Sequence, residues 1–337
     1  MKLRRLSCVL AALLPILAGA QTAITSATFG ALVDNPGSTT AYTTAPVTFN
    51  ETYKQLTNFT TAGGTYHVQD TADAAYIRRN LTAGNANNSS VWYTGSTSTA
   101  TDGQYKTSLD QVLLNNTTLM GSDNTFANGT GNTTGNIERV DFYWNGGIKI
   151  GATDGFAVFE RGAAGAHDAF RIALITNWNT GTNQPTTYTK QIEVATNWGA
   201  TNLTGTDTTN PFQIVRYGNG DNLTNDTAVT PNAATQGLAG LLFQYSDFGL
   251  AANTTIYGYS IFSADGTLVT TAGGTLADWN NATYYPTNSA GGLDLSSING
   301  QMFSKTPEPA VTGAVTIGLG AMLLSWRRRR QARATAA

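Results

Sequence analysis

The sequence predicts an all-β protein: an antiparallel, jelly-roll-like β-sandwich with a signal peptide before it and a single transmembrane helix after it. Charged residues make up only 12% of the 337 positions, and Thr, Asn, Ser and Gly supply the polarity instead. Thr favours pleated surfaces, while Asn and Gly accept the backbone angles of tight turns. Short alternating apolar runs also recur in the second half of the chain, as in sandwiches and jelly rolls.

The N-terminus has the three parts of a secretory signal peptide. A basic stretch, Met1 to Arg5, precedes an apolar stretch from Leu6 to Leu17, and Ala18-Gly19-Ala20 supplies small residues for cleavage. We expect a cut after Ala20, with Ala18 and Ala20 as the recognised positions. An uncleaved anchor is the alternative, which the shortness of the apolar stretch disfavours.

The single cysteine, Cys8, lies within this predicted signal peptide. After cleavage the protein would have no disulfide, no thiol nucleophile and no thiolate metal ligand. The exported body must therefore be stabilised by its hydrophobic core.

The body between the targeting segments is acidic. Of the 19 Lys and Arg residues, three lie in the signal peptide and five at the C-terminal end, which leaves 11 against 21 Asp and Glu and a net charge of −10. Such a surface repels phosphate backbones, so nucleic acid is excluded as a partner.

The body divides into two parts by composition. Residues 21–136 are rich in Thr, Asn and Gly and form an N-terminal β part, and residues 137–303 are expected to form the core of the sandwich. The clearest strand, Ile137 to Trp144, is predicted to end at the turn Asn145-Gly146-Gly147 before Ile148 to Ile150.

A hairpin with a long glycine loop is predicted next, between Gly155–Glu160 and Ala169–Ile175. Phe156 and Val158 share one face, and so do Phe170, Ile172 and Leu174, so one side should pack while the other meets water or a second sheet. Further strands are predicted at Tyr188–Ala195, Pro211–Tyr217, Leu238–Tyr245, Thr255–Phe262 and Gly266–Thr270.

No catalytic constellation is recognisable, and we predict that the protein is not an enzyme. His67 is placed on a polar strand face and His167 in the hairpin loop, so both are expected at the surface. No Gly-x-Ser-x-Gly elbow is present to place a serine nucleophile.

Paired carboxylates are the more open route to catalysis. Candidates in or beside predicted strands are Asp141, Glu160, Asp168 and Glu193. A glycosidase needs two carboxyl groups about 5 to 9.5 Å apart, a distance that a sequence does not contain. The alternative is that these groups face solvent or pair with Arg139 and Arg171.

Two further features are candidate ligand sites. The loop Gly218 to Asp226 concentrates oxygen ligands that suit Ca²⁺, but it lacks the EF-hand spacing, so no metal site is assigned and Ca²⁺ is only an alternative to a simple turn. Aromatic side chains that could stack sugars are Trp92, Tyr93, Trp178, Trp198, Trp279, Tyr284 and Tyr285, and most are expected to be core.

A charge-free apolar stretch near the C-terminus, Ala310 to Trp326, precedes the arginines Arg327, Arg328, Arg329 and Arg330. At ~1.5 Å per helical residue it covers about 26 Å, enough for a thin hydrocarbon core. The arginines resist transfer across a bilayer, so with Trp326 they form a membrane stop and hold this end in the cytoplasm. Pro307 and Pro309 should keep the peptide before the helix extended and accessible.

The order of Pro307-Glu308-Pro309, a short Gly-containing span and an arginine cluster resembles the PEP-CTERM sorting signal of Gram-negative bacteria, here residues 304–337. The resemblance implies recognition by an exosortase, a membrane protein thought to act as a cysteine transpeptidase. The alternative is an ordinary single-span anchor with a chance Pro-Glu-Pro.

Parts of the body also resemble bacterial surface proteins that carry this sorting tail. The likeness covers Asp154–Gly162, Ile256–Phe262 and the stretch from Trp279 to Leu295, within roughly Ile137 to Asn299. It implies an extracellular domain and lends no catalytic residues.

The sequence therefore predicts an exported, exosortase-sorted protein of the cell surface or extracellular matrix. Its partners would be the Sec machinery, signal peptidase, an exosortase and the membrane. The alternative function is a carbohydrate-binding or polysaccharide-active module, with extracellular polysaccharide as its partner.

Overall fold

Antiparallel β-strands account for nearly all regular structure in the described part of the chain. The computed structural model describes residues 21–31, 54–79, 89–94, 113–114, 120–123, 125–126, 137–162, 167–196, 198–199, 203, 212–217, 226–232, 237–278, 281, 283–285 and 292–306. The strands are β1 (Thr22–Ala31), β2 (Lys54–Thr61), β3 (Gly64–Thr71), β4 (Ala74–Arg79), β5 (Ser89–Thr94), β6 (Met120–Asp123), β7 (Ile137–Ile150), β8 (Asp154–Gly162), β9 (Phe170–Asn179), β10 (Gln184–Tyr188), β11 (Ile192–Val194), β12 (Phe212–Tyr217), β13 (Asp226–Asn232), β14 (Gly237–Gln244), β15 (Thr254–Ser263) and β16 (Gln301–Lys305).

Six of the described strands close a barrel in the order β1-β14-β8-β16-β3-β2, and β2 pairs back to β1. Every pairing in it is antiparallel. The barrel joins three strands of the N-terminal part of the chain to three from beyond residue 150. Its interior is filled by aromatic and aliphatic side chains, and Phe59 contacts Phe303 and Tyr66 with ring centroids 4.7 and 5.4 Å apart.

A second sheet has the order β10-β9-β15-β7-β4, with β11 also paired to β9. This second sheet is curved into a half-barrel, since Arg78 on the edge strand β4 donates a hydrogen bond to the Asn183 carbonyl beyond the other end of the sheet. A smaller third sheet, β13-β12-β5-β6, is attached where the Ser122 N–H donates to the Leu295 carbonyl at 2.9 Å.

Strand β8 shows how the layers are built. Phe156 and Val158 point into the core between the barrel and the second sheet, while Ala157 and Phe159 point into the barrel. Both faces of β8 are buried, which explains its nearly continuous apolar sequence. Completely burying a side chain as large as phenylalanine contributes about 1.5–3 kcal/mol, so β8 stabilises two cores at once.

The second sheet is also buried on both sides. Ile172 and Leu174 of β9 face the barrel. Ala173 and Ile175 face a covering segment, residues 264–278 and 283–285, which contacts the outer surface through residues such as Leu276 and Tyr285. The alternation predicted for Phe170, Ile172 and Leu174 is confirmed, and the opposite face meets a covering segment of the same chain.

The predicted turn at Asn145-Gly146-Gly147 is wrong. Strand β7 continues through it to Ile150, and both halves pair with β15 across an irregularity between Ile256 and Gly258. Gly146 and Gly147 have φ values of 81° and 76°, which produce a bulge within one strand instead of a reversal.

The predicted hairpin between Gly155–Glu160 and Ala169–Ile175 is also wrong. Both strands exist, but β8 pairs with β14 and β16 in the barrel, whereas β9 pairs with β10, β11 and β15 in the second sheet. The chain crosses between layers here because β8 has hydrogen-bonding partners on both of its edges.

Other predicted strands have mixed outcomes. Those at Pro211–Tyr217, Leu238–Tyr245 and Thr255–Phe262 correspond to β12, β14 and β15. The strand predicted at Tyr188–Ala195 is divided between β10 and β11, and Gly266–Thr270 is not a strand but part of the covering segment.

The all-β antiparallel class is confirmed, while the finer prediction of a jelly-roll-like sandwich stays a prediction. The predicted helix at residues 310–326 lies outside the described residues. Within those that are described, no helix has the length and apolar character needed to cross a membrane.

Candidate functional site

The crossing from β8 to β9 brings titratable side chains together. Glu160 lies near the end of β8, on the same face as Val158, and is fully buried. His167 and Asp168 immediately precede β9. With Trp198, these residues form a group that we call the acid–histidine cluster.

The acid–histidine cluster is held by short contacts. His167 Nδ1 lies 3.2 Å from Glu160 Oε2, and the Asp168 backbone N–H donates to both Glu160 carboxyl oxygens at 3.0 Å. Trp198 Nε1 donates to the Asp168 carbonyl at 3.1 Å, and its ring lies 5.5 Å from that of His167, centroid to centroid. The indole thus closes one side of the cluster.

Burial dominates the electrostatics of the cluster. It raises the pKa of Glu160 well above the usual range, and the nearby charges of Asp168 and Asp294 raise that pKa further. Burial lowers the pKa of His167 to about 4, so its imidazole is neutral at neutral pH. Burial also raises the pKa of Asp168, opposed by a hydrogen bond between its side chain and that of Glu160.

The cluster can retain a proton, but its geometry does not fit substrate chemistry. Only 2% of His167 and none of Glu160 is exposed. A glycosidase needs both carboxyl groups in contact with substrate, and the buried Glu160 carboxyl is enclosed by the Asp168 backbone N–H and the His167 ring. Within the described part of the chain, no group of three or more His, Cys, Asp or Glu side chains could hold a metal ion.

A second polar group lies under the covering segment. Asp141 Oδ1 contacts Arg139 Nε at 2.8 Å and accepts a hydrogen bond from Ser260 Oγ at 2.6 Å. Arg139 Nη1 donates to the Tyr285 hydroxyl at 3.1 Å, and that hydroxyl donates to the Leu276 carbonyl. This network joins β7 and β15 to the covering segment and is structural.

The four candidate carboxylates do not form one group in the structure. Asp141 is paired with Arg139, and Glu193 with Arg171 at 2.8 Å, which confirms the alternative of ion pairing for these two. Glu160 and Asp168 are brought together. The sequence gives no sign that Ser260 donates a hydrogen bond to Asp141. Arg139 and Asp141 are two positions apart on a strand and therefore lie on one face, which is a signal for their pairing.

The two histidines differ from each other. His67 is exposed on β3, as predicted. The prediction that His167 lies at the surface is wrong, because the chain crosses between layers at this point and the imidazole packs against Trp198.

The aromatic candidates are mostly core, as expected. Trp178, Trp198 and Tyr285 are buried, and Tyr284 is half-buried. Trp178 stacks on Tyr143, with ring centroids 4.0 Å apart. The side chains of Trp92 and Tyr93 and all of Trp279 lie outside the described residues.

The targeting residues named above also lie outside the described residues. They are Ala18, Ala20, Pro307, Glu308, Pro309, Trp326, Arg327, Arg328, Arg329 and Arg330, and Cys8 lies outside as well. Of the candidate calcium loop, only Asp226 is described, as the first residue of β13.

No protein-family model, no curated protein and no solved structure matches the chain.

Proposed function

We propose that this chain is an exported surface or extracellular-matrix protein of a Gram-negative bacterium, sorted through a PEP-CTERM tail by an exosortase. The observation that carries the proposal is the order of Pro307-Glu308-Pro309, the apolar stretch Ala310 to Trp326 and the arginines that follow it. Each part has a physical role in handling the chain at a membrane.

Export would begin with the Sec machinery and end with signal peptidase cutting after Ala20. The C-terminal helix would then hold the protein in the inner membrane, because the arginines beyond Trp326 stay in the cytoplasm. The extended Pro307-Glu308-Pro309 peptide would meet an exosortase outside the membrane, and processing there would move the body to the cell surface or matrix.

The body itself is proposed to be a non-enzymatic β domain. The described carboxylates support this, since Asp141 and Glu193 are engaged with arginines and Glu160 is enclosed with His167. We propose that its finer architecture is a jelly-roll-like sandwich. The core that the barrel shares with the second sheet supports this proposal.

Carbohydrate binding is the weaker candidate. It needs exposed aromatic faces, and Trp178 and Trp198 are buried in the described body. An anionic polysaccharide would in addition be repelled by the net charge of −10 on residues 21–326.

The test is intact-mass analysis of the protein recovered from the surface and medium of the native cell. We expect loss of residues 1–20 and of the chain after the Pro-Glu-Pro motif. Replacing Pro307-Glu308-Pro309 by three alanines should abolish the second loss and leave the first.

A matched control replaces Thr312 and Thr316 by alanine, which leaves both the motif and the arginines intact, and should be processed as the wild type. If residues 310–337 persist in the mature wild-type protein, the sorting proposal is wrong and the tail is a plain anchor. Retention of residues 1–20 would overturn the export step separately.

A further inference from the structure

The bulge of strand β7 places reactive groups around one asparagine. Asn145 is exposed, and the next residue, Gly146, has a φ of 81° with no atom within 4 Å of where a Cβ would lie. The Tyr143 hydroxyl donates to Asn145 Oδ1 at 3.3 Å.

We propose that Asn145 is a self-modification site, at which the Gly146 backbone nitrogen attacks the Asn145 side-chain amide while the Tyr143 hydroxyl donates a hydrogen bond to the amide oxygen. The bond that forms joins the Gly146 nitrogen to Asn145 Cγ, and the bond that breaks releases the side-chain nitrogen as ammonia. Water then opens the cyclic imide on either side, which leaves aspartate or isoaspartate at position 145. No oxidant, metal or other protein is required.

The phenol of Tyr143 contacts the amide oxygen on which charge develops. Gly146 N loses its proton to hydroxide from solvent as it becomes the nucleophile, because Asn145 and Gly146 are both exposed. Asn145 Oδ1 gains negative charge as the tetrahedral intermediate forms, and it already accepts the phenol proton. Donors aimed at developing charge of this kind are an effective form of catalysis.

Packing holds the Tyr143 hydroxyl in place. Tyr143 is buried and stacks on Trp178 at 4.0 Å with an interplanar angle of 20°. Burial is the main cause of its raised pKa, so the phenol remains protonated and able to donate at neutral pH. The ring cannot turn away without breaking this stack.

The chain offers an internal control at Asn299-Gly300. Asn299 is buried, its Oδ1 accepts from the Phe159 N–H, and its Nδ2 donates to the carbonyls of Phe159 and Ser296. The Gly300 N–H is engaged by the Tyr259 hydroxyl at 2.7 Å. The same dipeptide is therefore locked here, while at the bulge it is free to react; Asn128-Gly129 and Asn219-Gly220 lie outside the described residues.

The modification would change the corner where β4 meets β7. The Asn145 backbone N–H donates to Asp73 Oδ2 at 2.7 Å, so a new carboxylate would arise beside an existing one. An isoaspartate also inserts a methylene into the backbone next to the pairing of Ala74 with Tyr143. Both changes weaken this edge of the second sheet.

The experiment incubates the folded protein at neutral to mildly alkaline pH and follows each Asn-Gly peptide by mass spectrometry, with isoaspartate detected enzymatically. We expect modification at Asn145 and none at Asn299 in the folded protein. Because the fold supplies the Tyr143 donor, Asn145 should react at least as fast in the folded protein as in urea, whereas Asn299 should react only in urea.

Tyr143→Phe keeps the ring and removes the hydroxyl donor, and we expect it to slow the reaction at Asn145 several-fold. Tyr76→Phe is the matched control, because Tyr76 lies in the same aromatic stack, and it should react as the wild type. An equal rate in Tyr143→Phe would overturn the role of the hydroxyl. If Tyr143→Phe does not fold, a wild-type rate at Asn145 that is slower in the folded protein than in urea would overturn it instead.

Discussion

Glu160 and His167 are buried next to each other, and their titrations act on stability in opposite directions. The pKa of His167 is about 4 when folded and 6.5 in an ordinary environment, so the unfolded chain takes up this proton first as pH falls. That contribution lowers the free energy of unfolding as pH drops from about 6.5 to about 4. Glu160 has a raised pKa, so its contribution lowers the free energy of unfolding as pH rises above the usual 4.5.

Replacing one of the two residues should change how the free energy of unfolding depends on pH, because its contribution is removed while that of the other residue remains. In His167→Phe, stability relative to the wild type should increase by about 2 kcal/mol as the pH is lowered from about 7.5 to about 5, since the histidine no longer titrates. In Glu160→Gln, the decline in stability toward acid should become steeper than in the wild type. Urea unfolding at several pH values measures both effects.

His67→Phe is the control for His167→Phe, because it removes an imidazole that is exposed on β3 and not one that is buried in the cluster. We expect the stability increase toward acid in His167→Phe alone. Parallel profiles for His167→Phe and the wild type would contradict the assignment of a buried neutral imidazole.

At the scale of single residues, sequence patterns identify charges but rarely their partners. The pairing of Asp141 with Arg139 can be predicted from the sequence, because these residues are two positions apart on one strand. The contact of Glu160 with His167 was not foreseeable, since β8 and β9 belong to different sheets. The residues next to a histidine do not show whether its side chain is exposed in a loop or buried against another layer.

Among the elements, strands β7 and β15 depend on one glycine. Gly258 has a φ of 139°, and a Cβ built there would lie 1.8 Å from the Phe142 carbonyl oxygen. No side chain fits without moving β7, because the obstacle is backbone. The irregularity in the pairing of β15 with β7 occurs at this position.

We therefore expect Gly258→Ala to lower the free energy of unfolding by about 3 kcal/mol or more, from backbone strain and overpacking together. Gly249→Ala is the matched control: Gly249 also has a positive φ, 77°, but nothing lies within 4 Å of its Cβ position. It should lose only about 1 kcal/mol. Equal losses in thermal or urea unfolding would show that contact with Phe142 is unimportant.

Prediction of elements from alternation succeeded where a strand has one consistent environment along its length. It found β12, β14 and β15 to within about two residues. It failed at Asn145-Gly146-Gly147, because two glycines with positive φ signal a turn and a bulge equally well. In residues 54–79 it found only the strand around His67, which is β3, because the other threonine-rich faces lack a strong apolar alternation.

At the scale of the whole molecule, the barrel joins distant parts of the chain. Strand β1 pairs with β14, and β3 pairs with β16, so the N-terminal strands complete a barrel whose other wall is β8. Without β1 to β3, the apolar interior around Phe159 and Phe303 would face water.

We predict that residues 137–306 expressed alone do not fold cooperatively, whereas residues 21–306 do. Exposing the barrel interior removes burial worth about 1.5–3 kcal/mol for each large side chain, and a domain is stable by only about 5–15 kcal/mol. Circular dichroism during urea unfolding distinguishes a sigmoidal transition from a gradual change. A sigmoidal transition for the shorter fragment would mean that the second sheet is an independent unit.

The sequence by itself determined the all-β class, the alternation of faces in β8 and β9, and the expectation of a sorted, exported chain, because these depend on composition and local order. Only the tertiary structure decided that β8 and β9 belong to different layers, that the barrel closes through the N-terminal strands, and that His167 is buried against Glu160. Strand pairing and burial depend on which distant segments compete for the same backbone edges and faces, and no local pattern records that competition.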